Sequence, residues 1–466
     1  MMNKNKEVDI MNNIYKYLES ATTGEVKSEE KHDMEVFMKS QELANEFDIK
    51  YDGETIVPTD TSLADSVFEA AVQLLTSVGI YCIDTKKTIH IEEEDIIKSL
   101  NTSEMLEIGR KSEKVIVPFR YIMDSEPPVI IGGPMGGTVS EENFLELHVS
   151  SAIEPIVQGV YAGALEKMGG KSIRGKTPFE MLAALKEARE ERLATKLAGR
   201  EGLALMGPGT PTISPAYMLV SSEELYSSAD VQEVYQLDEL KTDYETFYKS
   251  IFHLEHGNHF LSGQCPVFGG TSIGSPEGLA IVDVAETIQS KIVTGASLHV
   301  SGAVHVNTNS SSTKEIMWGS NLSSIAISRN MHHYIARYYW NLAGCCTHMM
   351  FYETAAQAIG DTVCGRDMLI GPVGARGAGA DQSTGLESRF MGEVAYMATG
   401  LSLQEADEAV RNIYKKYENL LTNAPEGKPF NECYKVESVY KMSPNDEYLG
   451  IYKDVSAEVK KYCGIE

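Results

Sequence analysis

Hydrophobic residues along this chain fall into three textures. Up to about residue 125 apolar positions recur every three or four residues among many charges, which predicts helices with one buried face. Thr59-Asp-Thr-Ser62 caps one such helix, whose inner face would be Val67, Ala70, Ala71, Leu74 and Leu75. Glu92-Glu-Glu-Asp95 opens another, with acids at the end the helix dipole favours. From about residue 127 the pattern changes to short apolar runs, several ending in glycine, separated by helical stretches such as 178–197 and 278–294. The runs are Val129-Ile-Ile-Gly132, Ile156-Val-Gln-Gly159, Leu203-Ala-Leu-Met206, Ser250-Ile-Phe-His253, Pro266-Val-Phe-Gly269, Leu298-His-Val-Ser301 and Ala336-Arg-Tyr-Tyr-Trp340, with a weaker one at 231–235. Past 385 the pattern predicts helices and polar loops, with 403–421 as one amphipathic helix broken by Asn423-Ala-Pro-Glu-Gly427.

Alternating strands and helices of this number make the chain α/β. They fit a (β/α)8 barrel, and a doubly wound open sheet shows the same alternation. The expected organisation is an N-terminal helical extension over 1–125, the barrel over 126–385 and C-terminal helices over 386–466, in one integrated domain. The chain has 466 residues, enough for a large core, and its 41 basic and 67 acidic residues give a net charge of −26. That balance argues against nucleic acid or an anionic membrane as partner. No apolar run is long enough to span a bilayer, and Met1-Met-Asn-Lys-Asn-Lys-Glu7 lacks the apolar core of a signal peptide, so a cytoplasmic enzyme is expected. Seven scattered cysteines with no Cys-x-x-Cys pair read as reduced thiols.

Several clusters carry candidate chemistry. Gly199-Arg-Glu-Gly-Leu-Ala-Leu-Met-Gly-Pro208 runs apolar into Met206 and stops at Gly207-Pro208, as a buried strand does when it hands over to a loop. In a closed barrel, a residue at that point faces the active-site mouth. His253-x-x-His256-x-x-His259 with nearby Cys265 raises zinc as an alternative, with His253, His256 and Cys265 as ligands. His299 and His305 flank Ser301-Gly302 at a strand end and are expected to hydrogen-bond in a cavity wall. Gly374-Ala-Arg-Gly-Ala-Gly379 lacks the phosphate-loop pattern and reads as a flexible rim loop. Cys345-Cys346 reads as buried thiols.

The 199–208 segment resembles the pyrrolysine-bearing stretch of the monomethylamine methyltransferase family, corrinoid-dependent enzymes of anaerobes. The likeness extends through Gly79-Ile-Tyr-Cys-Ile-Asp-Thr85, Gln236-Leu-Asp-Glu-Leu-Lys241, Pro266-Val-Phe-Gly-Gly270 and Thr384-Gly-Leu-Glu-Ser-Arg-Phe-Met-Gly-Glu-Val394, in order from about 20 to 460. The resemblance implies a TIM barrel, a homo-oligomer (a hexamer), a deep cavity at the C-terminal face of the barrel, and methyl transfer to Co(I) of a separate corrinoid protein docked over the mouth. No cofactor would be bound by this chain directly.

Position by position, the resemblance places Met206 where the family has pyrrolysine. The acid three residues on is Gly209. A second acid is Gly263, just before Gln264-Cys265-Pro266. A glutamine is Tyr338 and a tyrosine is Trp340, whereas the carboxylate at Glu233 is kept. On this reading Glu233 and Met206 are the catalytic positions, and Tyr338, Trp340, Gly209, Gly263, Gln264, His299 and His305 surround the substrate. A thioether offers no electrophilic carbon to an amine. The loss of electrophile and acids with a gain of aromatic surface fits a methylated or quaternary amine held over aromatic faces. The bland counterpart is that Met206, Tyr338 and Trp340 simply refill a cavity. Rival functions are zinc-assisted demethylation of an O- or S-methyl donor, and a non-catalytic relative that binds a ligand or a corrinoid protein.

Overall fold

In a computed structural model describing residues 4–101, 104–209 and 211–465, eight parallel strands close into a barrel. They are β1 (Val129–Gly132), β2 (Gly159–Tyr161), β3 (Ala204–Gly207), β4 (Val231–Glu233), β5 (Phe260–Gln264), β6 (Leu298–Ser301), β7 (Tyr334–Trp340) and β8 (Met368–Val373). Each pairs with its neighbours in sequence, and the pairing of Met368 with Val129 joins β8 to β1. That closure selects the (β/α)8 barrel over the open sheet. Met1–Asn3, part of the segment read above for a signal peptide, lie outside the described residues. No helix among the described residues is long and apolar enough to cross a membrane.

Before the barrel come α1 (Lys4–Thr23), α2 (Glu29–Glu46), α3 (Thr61–Val78) and α4 (Glu93–Ser99). Asp60 caps α3 by accepting from Ser62 N–H, and all five expected inner-face residues of α3 are buried. The outer ring is α5 (Phe144–Ala152), α6 (Pro178–Leu197), α7 (Ser214–Val220), α8 (Tyr244–His256), α9 (Pro276–Gln289), α10 (Lys314–Asn330), α11 (His348–Val363) and α12 (Gly385–Ala398), one after each strand. Then follow α13 (Leu403–Tyr414), a short antiparallel hairpin and α14 (Asp446–Tyr462).

Successive strand residues face opposite ways, so each strand sends alternate side chains inside. Inside lies a separate apolar cluster that includes Val129, Ile131, Tyr161, Ala204, Met206, Val231, Leu261, Leu298, Val300, Ala336, Tyr338 and Ile370. Its floor is a turn and hairpin from the N-terminal region. Leu106, Ile108 and Val117 join the interior cluster, while Gly109 N–H and Arg110 N–H donate to Ala229 and Gly202 carbonyls just ahead of β4 and β3. The barrel is therefore plugged at its N-terminal end.

Four expectations are corrected. Residues 250–253 are not a strand but belong to α8. Asp243 caps that helix by accepting from Thr246 N–H, Phe247 and Leu254 are buried on it, and left-handed Gly257 ends it. The strand of that unit is β5, ten residues on. Val267–Phe268 is a strand, but it pairs with Val304–His305 on the rim instead of entering the barrel. The 156–159 run begins early, since its strand continues to Tyr161. The 403–421 helix stops at Tyr414 and gives way to a tight 3-10 turn at Glu418–Leu420. All seven cysteines are free thiols.

β3 is held in register by a buried charge. Asp230 accepts from Leu205 N–H at 2.8 Å and from Arg192 Nη2 at 2.6 Å, and also from Ser227 N–H at 2.8 Å. Asp230→Ala strands the buried guanidinium of Arg192 and frees the Leu205 amide. We expect a loss of about 3–5 kcal/mol, read as a lowered denaturation midpoint, with Asp230→Asn recovering part of it.

Candidate active site

At the C-terminal ends of the strands the alternation brings a small set of side chains into one layer. Tyr161 ends β2, Met206 lies one residue before the end of β3, and Glu233, two residues beyond inward Val231, ends β4. Gly263 is two beyond Leu261 on β5, and Tyr338 and Trp340 are two and four beyond Ala336 on β7. Met206 is fully buried, and its carbonyl accepts from Tyr226 Oη at 3.3 Å.

The polar centre of this layer is a hydrogen-bonded chain across three strands. Tyr338 Oη donates to Glu233 Oε1 at 2.7 Å, and Tyr161 Oη lies 2.8 Å from Tyr338 Oη. The Tyr161 and Tyr338 rings meet edge to face at 5.6 Å, and Trp340 stands edge-on to Tyr338 at 6.4 Å. Burial holds the Glu233 carboxyl above the usual carboxylate range, opposed by the Tyr161 and Tyr338 hydrogen bonds and the charge of Lys249. Burial and the neighbouring carboxylate keep both phenols neutral, far above the ordinary tyrosine range. Burial also pushes the Cys265 thiol up, so it stays protonated beside Tyr235 and Trp340.

The glycines here are required by close approach. A Cβ on Gly263 would lie 2.9 Å from Tyr338 Oη and 3.1 Å from Glu233 Oε1. A Cβ on Gly302, just past β6, would lie 2.7 Å from Cys265 Sγ and 2.9 Å from the Tyr338 ring. Gly377, at φ +69° in the rim loop, lies flat on the Trp340 indole, where a Cβ would come within 2.5 Å. Tyr338 and Trp340 thus fill space that glycines leave open.

The segment after β3 is tied down. Glu180 of α6 accepts from Thr212 N–H at 2.5 Å and Ile213 N–H at 3.0 Å, and Lys249 Nζ of α8 donates to Thr212 carbonyl at 2.8 Å. Gly209 lies in this segment against the carbonyls of Gly163 and Ala162.

Three candidates lie elsewhere than expected. His299 sits between inward Leu298 and Val300, so it faces the helices, near Asp283 and Arg366, where burial lowers its pKa to about 4. Gln264 also takes the outward register, and its Nε2 donates to Leu237 carbonyl at 2.9 Å, bracing the loop after β4. His305 is on the rim, edge-on to Phe268 at 5.3 Å, with Nδ1 accepting from Asn307 N–H. The zinc alternative is corrected too. His253 is buried under α7, with Tyr217 Oη at 2.8 Å from its Nε2, while His256 is exposed at the helix end and Cys265 lies by Trp340. They share no centre, and among the described residues no group of three His, Cys, Asp or Glu is arranged to hold a metal. Two open surface clefts of about 600 and 690 Å³ contain no inward strand residue, so it is the interior layer, not cleft size, that marks the site.

Comparison with known proteins places the chain as a whole in a family. The model for monomethylamine methyltransferase MtmB matches residues 12–464. Monomethylamine methyltransferase MtmB1 of Methanosarcina acetivorans is 33% identical over 440 residues, 94% of this chain and 95% of that protein. MtmB of Methanosarcina mazei is 32% identical over the same length. The chain belongs to the monomethylamine methyltransferase family. The crystal structure of the Methanosarcina barkeri family member superposes with a TM-score of 0.93 at 31% identity, covering 96% of this chain and 98% of that one. A hydroxylamine complex of MtmB aligns equally well. The methyltransferase barrel expected from the sequence is therefore the observed one.

Sequence reasoning missed Tyr161, Lys249 and the tyrosine pair at 226 and 235. For Tyr161 the signal was present, since Gly159-Val-Tyr-Ala162 continues the apolar run beyond the glycine.

Gly263→Ala in this methyltransferase should push the Tyr338 hydroxyl off Glu233 at a cost of about 1–3 kcal/mol. A crystal structure and a denaturation midpoint of the variant check both. An unmoved hydroxyl at unchanged stability contradicts the close fit.

Proposed function

We propose that this chain is a pyrrolysine-independent cytoplasmic methyltransferase that passes a methyl group from a methylated or quaternary amine to Co(I) of a separate corrinoid protein. The observation that carries it is the inward layer itself: a half-buried carboxylate, Glu233, faces aromatic walls, with a thioether at 206 and no electrophilic carbon. Such a layer suits a cation whose nitrogen already is a competent leaving group. Quaternary ammonium groups gain roughly 0.5–2 kcal/mol over an aromatic face, and Glu233 balances the charge.

The corrinoid of the partner supplies the nucleophile when the two proteins are docked. The residues of this chain do the rest. Glu233, Tyr338 and Trp340 hold the cation at the strand ends, and Met206 sets its depth. With the partner covering the mouth, water is kept from the site and the methyl group is held in line with the departing nitrogen. The methyl carbon leaves nitrogen as the new bond forms, and the C–N electron pair stays on the released amine, which needs no proton when the donor is quaternary.

The deciding experiment incubates the purified chain with a Co(I) corrinoid protein and a panel of mono-, di-, tri- and tetramethylated amines, following donor demethylation by NMR. Turnover of quaternary donors with little from methylamine supports the proposal, and efficient turnover of methylamine alone overturns it. Trp340→Ala should weaken tetramethylammonium by about 1–2 kcal/mol more than a neutral isostere of equal size, measured by calorimetry. Equal losses for both ligands would remove the aromatic cage.

A further inference from the structure

We propose that Tyr161 of β2 is a positioning residue that strengthens the hydrogen bond from the Tyr338 hydroxyl to the Glu233 carboxylate by donating its own hydrogen to that hydroxyl. The inference rests on the amine-binding reading of this site.

The geometry dictates the direction of the chain. Tyr338 Oη spends its one hydrogen on Glu233 Oε1, so the hydrogen in the 2.8 Å contact between phenols comes from Tyr161. A hydroxyl that accepts a hydrogen bond becomes a stronger donor, and the effect grows where water is excluded. Both rings are 2% exposed and belong to β2 and β7, while the acceptor is on β4, so the chain spans elements fixed by the barrel. The edge-to-face contact and the packing of Tyr338 against Gly263 and Gly302 leave the Tyr338 ring little room to turn away.

Other groups facing Glu233 do not replace this. Lys249 of α8 is a cation whose charge acts on it, and it donates to Thr212 carbonyl and lies over Tyr217 at 5.1 Å. Buried Tyr217 of α7 and, beyond β4 and β5, Tyr235 and half-buried Cys265 all hold their protons. Tyr338 is therefore the hydroxyl donor to the carboxylate, with Tyr161 donating to Tyr338 behind it.

The chain also bears on which nitrogen the site accepts. A carboxylate served by protein hydroxyls meets its ligand as a charge and requires no N–H from it. A fully methylated nitrogen loses nothing there, whereas N–H donors compete with Tyr338. Tyr161, whose hydroxyl is spent on Tyr338, sets that preference through the carboxylate.

The sign of the pH effect follows. Phenolic donors favour the ionised form, so removing the Tyr161 hydroxyl raises the Glu233 pKa. Cation binding, which needs the anion, is then lost at higher pH than in the wild type. The test is the pH-titrated infrared carboxyl band of Glu233, assigned by difference from Glu233→Gln, in wild type and Tyr161→Phe, with no ligand present. We expect an upward shift of about one pH unit in Tyr161→Phe. The acid limb of tetramethylammonium binding should move by the same amount. An unshifted band in a folded Tyr161→Phe protein overturns the proposal. If that variant fails to fold, Tyr161→Met, which also lacks the hydroxyl but fills the space, is read the same way. A shifted band in a protein that binds no methylated ammonium supports the role of Tyr161 and sinks the amine reading instead.

Discussion

A side chain on a strand of a closed barrel has only two destinations, the enclosed interior or the layer under the helices, and the choice alternates residue by residue. That constraint decides the chemistry here. Glu233 faces Tyr338 because Val231 and Ala336 are inward two residues earlier on their own strands, and Tyr161 joins them from β2 for the same reason. A slip of one residue in any of the three strands would exchange a member of the hydrogen-bonded chain for a residue of the opposite face. The tight fits at Gly263 on β5 and Gly302 just past β6 express the same geometry, since neither position can carry a side chain while the tyrosine is in place.

The layer under the helices is unusually polar, and it supports the site from behind. Arg337 of β7, Asp361 of α11, Arg366 and Asp283 of α9 are fully or almost fully buried, with nitrogen–oxygen separations of 3.3–3.7 Å. Two guanidinium and two carboxylate groups balance one another, which is the condition for keeping charge out of water. Arg366 also donates to Ala336 carbonyl at 2.9 Å, and Arg337 to Ser311 carbonyl at 3.0 Å. Ser311 in turn bonds Trp340 N–H at 2.9 Å. The strand that presents Tyr338 and Trp340 is thus fastened on its outer side by charges that never enter the cavity.

That polar layer also explains what could be read from the chain and what could not. Strands whose outer residues meet apolar helices, such as β1 and β3, are continuous hydrophobic runs and stand out. β5 does not, because Ser262 and Gln264 on its outer face bond Gln236 and Leu237 instead of packing on an apolar surface. β8 is masked by Gly371-Pro372, a pair that reads as a turn, and 250–253 was open to misreading because four residues of a buried helix show no period. Within the site, Met206, Glu233, Gly263, Tyr338 and Trp340 were legible through family likeness. Which histidines point inward was not, since His299 and the residues beside it differ only in parity along β6. The spacing of His253, His256 and Cys265 suggested a shared centre that a helix and a strand end then pull apart.

The hairpin beneath the barrel has a kinetic meaning. With Leu106, Ile108 and Val117 wedged into the lower end, no route to Glu233 runs through that end, and a ligand of the proposed function would have to come and go at the C-terminal ends of the strands. A small ligand and a macromolecule seated there cannot pass one another. On the proposed function traffic would have to take turns, with the amine loaded before the corrinoid protein docks and the product discharged after it departs.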